Sequence, residues 1–396
     1  MTAPGSTIQE LVTPKQPLHV LTLTPFYPVT GDDAQGCFVA EPLAELARLG
    51  VANTVRAVRP FYRGGPTAGG STIAARWVRF FSLPGGRGLS NAGAFLFARL
   101  LPEIRRLHGS KPVHVIHAHS ALPCGHAATL LSRELKIPFV VTVHGLDAFS
   151  SRQVEGRAGE WCARISQSVY RSARSVICIS EKVRDQVIEG AGPRVDTTVI
   201  YNGVDPEMFS PADTEDAPVI LSVGNLIPIK GHELLLRAFA AIQNQFPRLS
   251  LEIIGDGPER PRLQKLANEL GIAAKISFRG RQGRRQVADA MRRATLFALP
   301  SRYEGLGCVY LEAMSAGKPV IACRKQGIEE VVQQGVNGYL IGADDLQELT
   351  ETLAGLLSQP DLRRKMGHAA RQTVLQGYTL GHQAARLLRL YRECQA

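Results

Sequence analysis

A chain of 396 residues with 44% hydrophobic and 20% charged side chains is long for a single core and too ordinary in composition for a disordered or fibrous protein, so two globular domains are expected. No run of about 18 apolar residues is present to make a membrane-spanning helix, and seven cysteines without a Cys-x-x-Cys pair argue against a disulfide framework or a zinc site. The net charge of +11 is concentrated: residues 48–111 hold eleven Lys or Arg and one acid, Glu103, or 11 − 1 = +10.

Residues 1–17 are polar and lack the order of a secretion signal, which predicts a short disordered tail. Strands are then expected over 19–23, 53–58, 113–118, 139–143, 175–179 and 198–201, with helices between several of them, such as 37–49 and 124–135. The basic stretch 48–111 is interleaved with Phe61, Tyr62, Trp77, Val78, Phe80, Phe81, Phe95, Leu96 and Phe97. Such a surface suits an anionic membrane face or a polyanionic substrate, or is simply a solvated basic face. No recognition motif for nucleic acid accompanies it.

Near 209–218 the pattern turns polar and Pro-bearing, the mark of a linker. A second alternating series follows, with strands over 219–223, 251–254, 275–278, 296–299, 319–322 and 338–341. Its helices are expected over 231–245, 259–270, 285–292, 309–316 and 345–357. An amphipathic segment at 380–394 is expected to pack back on the first domain. The whole reads as α/β: two Rossmann-like doubly wound domains, 18–208 and 209–377, facing across a cleft, with the helix within 378–396 returning to the first.

The densest motif is the string from Pro300 to Val320, where an apolar strand ends, a Gly-bearing loop follows and a helix begins near Gly307. Free N–H groups and the positive dipole end of a helix make an anion site, and Gly305 and Gly307, flanking Leu306, let a diphosphate approach the backbone. Glu312 falls roughly 8 Å along that helix from Gly307, where a carboxylate suits a ribose diol better than a phosphate. Glu304, in the loop, is placed to face sugar hydroxyls. A second strand–turn–helix, Val219 to His232, brings Lys230 to the same region as a point charge for a departing diphosphate. Gly36, before the first helix, would let that helix N-terminus approach the donor phosphate or sugar.

The string Pro-Ser-x-x-Glu-Gly-x-Gly-x-x-x-Leu-Glu-Ala-Met-x-x-Gly-x-Pro-Val resembles the hallmark of the retaining family 4 glycosyltransferases, which have the two-domain GT-B fold. The resemblance runs over about residues 19–375 and is closest to enzymes of bacterial cell-surface polysaccharide synthesis, including the teichuronic acid glycosyltransferase type. It implies Glu312 as the ribose ligand and Glu304 as the group at the transferred sugar. The Gly224-to-Gly231 segment is similar to the family's Gly-Arg-x-x-x-x-Lys-Gly motif, but Asn225 stands where an Arg is usual. One of two expected diphosphate cations is therefore missing, and Arg279, Arg281 or another nearby cation would have to compensate. Arg281 falls where the family's chain borders the nucleobase. His144-Gly145-Leu146-Asp147 resembles the family's His-Gly-x-Asp segment, which places His144 close to the transferred sugar. His119, at another strand end, could face the acceptor or be structural. Asn202, in an Asn-Gly-Val-Asp segment like the family's interdomain crossing, is read first as a turn residue and second as a ligand contact.

These readings imply transfer of a sugar from a nucleoside diphosphate donor, UDP- or GDP-linked, with retention, and with Glu304, His144 and Lys230 at the reacting groups. No Asp-x-Asp metal motif is present, so charge stabilisation is assigned to Lys230 and helix N-termini, with no metal and no other cofactor. The expected acceptor is a lipid-linked or other saccharide, met at the cytoplasmic face of the inner membrane through 48–111, without nucleic acid. The alternatives are a hydrolysing nucleotide-sugar 2-epimerase and a non-catalytic nucleotide-sugar-binding relative.

Overall fold

The protein is described by a computed structural model covering residues 17–62, 73–83, 88–147, 154, 156–212 and 218–395. The tail expected over 1–17 thus lies almost wholly outside the described residues, as do 213–217 of the linker.

Two parallel sheets organise the chain. The first contains β1 (His19–Thr24), β2 (Ala52–Pro60), β3 (Ala75–Phe80), β4 (Val115–His119), β5 (Phe139–Val143), β6 (Ser175–Cys178) and β7 (Thr197–Val199) in the order β3-β2-β1-β4-β5-β6-β7. The second contains β8 (Val219–Val223), β9 (Ser250–Ile254), β10 (Ile276–Gly280), β11 (Leu296–Ala298), β12 (Val320–Cys323) and β13 (Gly338–Ile341) in the order β10-β9-β8-β11-β12-β13. Among the described residues every pairing between these strands is parallel, for example Val20 with Val115 and Ile220 with Leu251. Central strands such as β1 and β5 are buried along their whole length, and β5, Phe139–Val143, accordingly reads as a nearly continuous apolar run.

The helices bearing on function are α1 (Cys37–Arg48), α2 (Leu89–Ser110), α3 (His126–Leu135), α4 (Gly156–Ser172) and α5 (Glu181–Ala191) in the first unit. The second carries α6 (His232–Ile242), α7 (Arg260–Glu269), α8 (Arg284–Arg293), α9 (Cys308–Ser315), α10 (Leu346–Ser358) and α11 (Pro360–Gly377), and α12 (Leu380–Glu393) ends the chain. Leu387, Leu388 and Tyr391 of α12 share a buried cluster with Val39, Leu43 and Leu46 of α1 and with Val20 and Val115 of the first sheet. The outgoing and returning crossings between the units are pinned together. The Val204 N–H donates to the Tyr378 carbonyl at 3.0 Å, and Leu380 N–H donates back to Val204 at 3.0 Å. A Cβ on Gly203 would lie 2.3 Å from the Thr379 oxygen, so only glycine permits that approach.

One strand departs from the sequence expectation. Residues 77–81 read as part of a basic, aromatic surface, yet β3 is an edge strand with Val78 and Phe80 buried and Arg76 and Arg79 exposed. Arginines on an edge discourage pairing with another sheet, and they hid the strand's alternation. The charge excess is also partly answered locally, because Glu103 pairs with both Arg56 and Arg76, at 2.5 and 2.9 Å.

In doubly wound sheets, ligands bind beyond the strand C-termini at the point where strand order reverses. Those points lie between β1 and β4 in one unit and between β8 and β11 in the other. The loops after β1, β5, β8 and β11 are the ones that carry the sequence motifs.

Candidate active site

The loop after β11 is held in place from both units. Glu304 is buried, 7% exposed. Its Oε1 accepts from Lys230 Nζ at 2.6 Å and from Ser301 Oγ at 3.0 Å. Its main-chain N–H donates to Gln326 Oε1 at 3.0 Å. Lys230 ends a short turn over Pro228–Lys230, and Gly231 follows at φ 73° with its Cα packed on Pro300, where a Cβ would sit 2.0 Å from the carbonyl oxygen. That contact sets the β8 turn against the β11 loop and so brings lysine to glutamate.

Gly307 precedes α9 at φ 89°, and a Cβ there would press on the Tyr310 ring at 2.6 Å and approach Glu304 Cδ at 3.6 Å. The first N–H groups of α9 therefore open directly beside Glu304. Gly305 is buried between the units: Ser180 Oγ donates to its carbonyl at 2.5 Å, and a Cβ would lie 2.7 Å from the His144 oxygen. The Leu306 side chain is fully buried in the core, leaving it only backbone groups for a ligand.

His144 follows β5. Its Nε2 shares a hydrogen bond with His119 Nδ1 at 3.0 Å, and its ring packs against Phe38 and Phe26. His119 stacks on His117 at 4.4 Å between centroids, and His117 bonds the Tyr391 hydroxyl and Thr142 Oγ1, both at 2.6 Å. The chain of groups thus runs from α12 to His144. Burial lowers the His144 and His117 imidazoles to about 3. His119 is held well below its ordinary value by burial, helped by its two neighbours. All three are neutral near pH 7, and His144 Nδ1 is buried with no partner among the described residues. Asp147 Oδ1 accepts the His144 N–H at 2.8 Å and shapes that turn. Burial raises the Asp147 carboxyl to about 7, opposed by backbone N–H donors.

Glu312 is 3% exposed on α9, and its Oε1 accepts from Arg284 Nη1. Arg284 opens α8, is 7% exposed, and donates through Nε and Nη2 to Glu41 of α1 at 2.9 and 3.0 Å. Its guanidinium lies over Phe209 at 4.8 Å. Arg284 and Glu41 were not among the residues suggested by the sequence. No local pattern marks a contact that joins positions 243 apart.

Gly36 stands before α1 at φ 71°, with Tyr27 nitrogen 2.4 Å from where a Cβ would be. Asn225 is exposed. Neither suggested substitute cation is turned wholly to a ligand: Arg279 lies 3.5 Å from Glu252, and Arg281 pairs with Asp32 at 2.8 Å. Another cation bears on the Glu304 loop: Lys182 of α5 donates through Nζ to the Lys325 carbonyl and to Gln326 Oε1, both at 2.6 Å, above the Tyr303 ring, and the same Gln326 oxygen accepts the Glu304 N–H. Asn202 is buried, donates to Cys308 Sγ at 3.4 Å and accepts from Gln383 at 3.3 Å. The seven cysteines are free, and among the described residues no three His, Cys, Asp or Glu side chains gather as a metal-ligand group.

Two family profiles cover most of this architecture. Glycosyltransferase Family 4 matches residues 38–208, and Glycosyl transferases group 1 matches residues 204–373. An uncharacterized glycosyltransferase of Methanocaldococcus jannaschii is 31% identical over 264 residues, covering 66% of this chain and 71% of that one. The chain belongs to the family 4 glycosyltransferases. It is a retaining, nucleotide-sugar-dependent enzyme of GT-B fold. The GDP-mannose-dependent alpha-(1-6)-phosphatidylinositol monomannoside mannosyltransferase of Mycolicibacterium smegmatis is 28% identical, covering 74% of this chain and 81% of that one. Among solved structures, Anabaena HepE in complex with UDP and glucose superposes with a TM-score of 0.73 at 20% identity, over 94% of this chain and 98% of that one.

Proposed function

We propose that this glycosyltransferase moves a hexose from a UDP- or GDP-sugar to a lipid-linked intermediate in cell-surface polysaccharide synthesis, of the teichuronic acid glycosyltransferase type. The observation that carries the donor-site reading is the convergence of Lys230, Glu304 and Gly307 on the start of α9, with Glu312 farther along the same helix. The diphosphate would sit at the α9 N–H groups beside Lys230, the sugar between Glu304 and His144, and the ribose at Glu312. Relatives named for GDP-mannose and solved with UDP support the donor class.

In this reading the bond from the anomeric carbon to the diphosphate breaks as the acceptor hydroxyl attacks from the same face, and the leaving phosphate oxygen takes the acceptor proton. Lys230 and the α9 N–H groups offset the charge that develops on that oxygen. Neutral His144, with its unpartnered Nδ1, is suited to a hydrogen bond with a sugar hydroxyl, not to proton donation. Slow hydrolysis of one donor by the purified protein, with the product's anomeric configuration read by NMR, tests this. Inversion, or a 2-epimerised sugar, would count against it.

A membrane-facing acceptor is supported by the first unit's surface. Phe61, Phe81 and Phe95 are each about half exposed, and Phe61 stacks on Phe81 at 5.3 Å with ring planes 5° apart. Phe95 meets Phe81 at 5.5 Å. An exposed aromatic cluster within the basic stretch suits an anionic bilayer surface. No helix among the described residues is long and apolar enough to cross a membrane, so contact would be peripheral.

A further inference from the structure

We propose that Arg284 couples the docking of α1 to the readiness of Glu312 for a ribose, so that Glu41, Arg284 and Glu312 act as one positioning device. The inference rests on the reading of Glu312 as the ribose ligand and adds what controls it.

A guanidinium carries five N–H donors in a rigid fork. Here the edge formed by Nε and Nη2 is spent on both oxygens of Glu41, at 2.9 and 3.0 Å, and Nη1 alone reaches Glu312, at Oε1. Arg284 is pinned besides by Phe209 beneath it, and its own N–H donates to Asp33 Oδ1 at 3.0 Å. Glu41 and Asp33 belong to the first unit, while Arg284 and Glu312 belong to the second. The arrangement gives Glu312 a single charged donor and leaves its second oxygen for a diol.

A half-buried carboxylate, Glu41, and a buried one, Glu312, share this one cation. Burial raises the Glu41 carboxyl above its ordinary value, and Arg284 opposes the rise. If α1 moves away, the two-donor edge of Arg284 is released within reach of Glu312. A bidentate Arg–carboxylate pair joins two ions through two parallel hydrogen bonds, whereas a ribose diol brings only neutral hydroxyls to the carboxylate, so a ribose would then compete poorly. Docked α1 thus exposes Glu312 to the nucleoside, and withdrawn α1 lets Arg284 cover it. Arg284 is in this sense a positioning residue that acts through Glu312.

The test is the affinity of UDP, GDP and inorganic pyrophosphate for the wild type, Glu41→Gln, Glu312→Gln and the double variant Glu41→Gln/Arg284→Met. Glu41→Gln preserves shape and leaves Arg284 to turn to Glu312. It should weaken the nucleoside diphosphate about tenfold while pyrophosphate binding stays unchanged. Removing Arg284 as well should recover most of that loss. Equal affinity of wild type and Glu41→Gln for nucleotide, or a loss shared equally by pyrophosphate, overturns the inference. So does a folded double variant that recovers nothing. If the double variant does not fold, the nucleotide-to-pyrophosphate ratio in Glu41→Gln decides alone. Unchanged nucleotide affinity in Glu312→Gln would instead show that the ribose reading itself fails.

Discussion

Lys230 and Glu304, 74 positions apart, form an ion pair of 2.6 Å at the mouth of α9. The pair holds a cation and a carboxylate together where a donor's phosphate and sugar would meet. A bound diphosphate would draw Lys230 away from Glu304 and free that carboxylate for the sugar. Replacing Glu304 by Gln should therefore leave nucleoside diphosphate affinity within about threefold while lowering kcat by about a hundredfold or more. Isothermal titration and initial rates on the same preparation check both halves. A large loss of affinity with unchanged kcat would be the wrong split.

Lys230→Ala removes the charge itself. The expected loss is about 2 kcal/mol of donor binding, on the scale of a charge-assisted hydrogen bond. The cost should fall on ligands that carry the diphosphate, and nucleoside binding should be spared. Competition by UDP against uridine, or GDP against guanosine, separates the two.

Stability towards acid follows from the buried histidines. His117 and His144 are lowered to about 3 by burial, against roughly 6.5 when unfolded. Their neutral burial contributes fully above about pH 6.5, and that stability is lost progressively as pH falls towards 3, because the unfolded chain then binds more protons. Asp147 works in the opposite sense. Its folded carboxyl is raised by burial to about 7, so its contribution favours low pH and is lost as pH rises from about 3.8 through 7. Asp147→Asn should steepen the fall in Tm between pH 6.5 and 5, and His144→Gln should flatten it. Melting curves across that window test both signs.

How much of this was readable before folding varies with distance along the chain. Phe139–Val143 and Val219–Val223 run to the same ends as their apolar stretches, because a central parallel strand is buried on both faces. The 22-residue helix α2 was not legible: Gly93 and Pro102 interrupt its pattern, and its close packing of Gly93 against His126 is a tertiary contact. In the site, the lysine, the two glutamates and the glycines were visible because each lies in a strand–loop–helix with its own local logic. Gln326, Lys182, Glu41 and Arg284 were not, since each acts through partners from another part of the chain.

Gly36 tests whether the first helix is placed by backbone contact. At φ 71°, with Tyr27 nitrogen 2.4 Å from a Cβ position, Gly36→Ala should cost about 1–3 kcal/mol of stability from left-handed strain plus displacement of α1. Urea unfolding measures the stability change. Donor affinity should fall with it, since α1 carries Glu41.

Phe81→Ser with Phe95→Ser should reduce co-sedimentation with vesicles containing anionic lipid by about tenfold or more, given the apolar area of two aromatic rings. Donor binding should be unchanged. Retention equal to wild type, or binding to neutral vesicles alone, would remove the aromatic cluster from the membrane reading.

The proposed function requires a nucleoside diphosphate sugar to bind at the α9 N-terminus with Glu312 as its ribose ligand. Thermal-shift measurement with UDP-, GDP-, ADP- and dTDP-sugars, on the wild type and on Glu312→Ala, tests it most directly, because a ligand that binds only the folded state raises Tm. One nucleotide class should raise the wild-type Tm and leave folded Glu312→Ala nearly unmoved. An equal shift in both proteins, or no shift with any donor, would contradict the assignment.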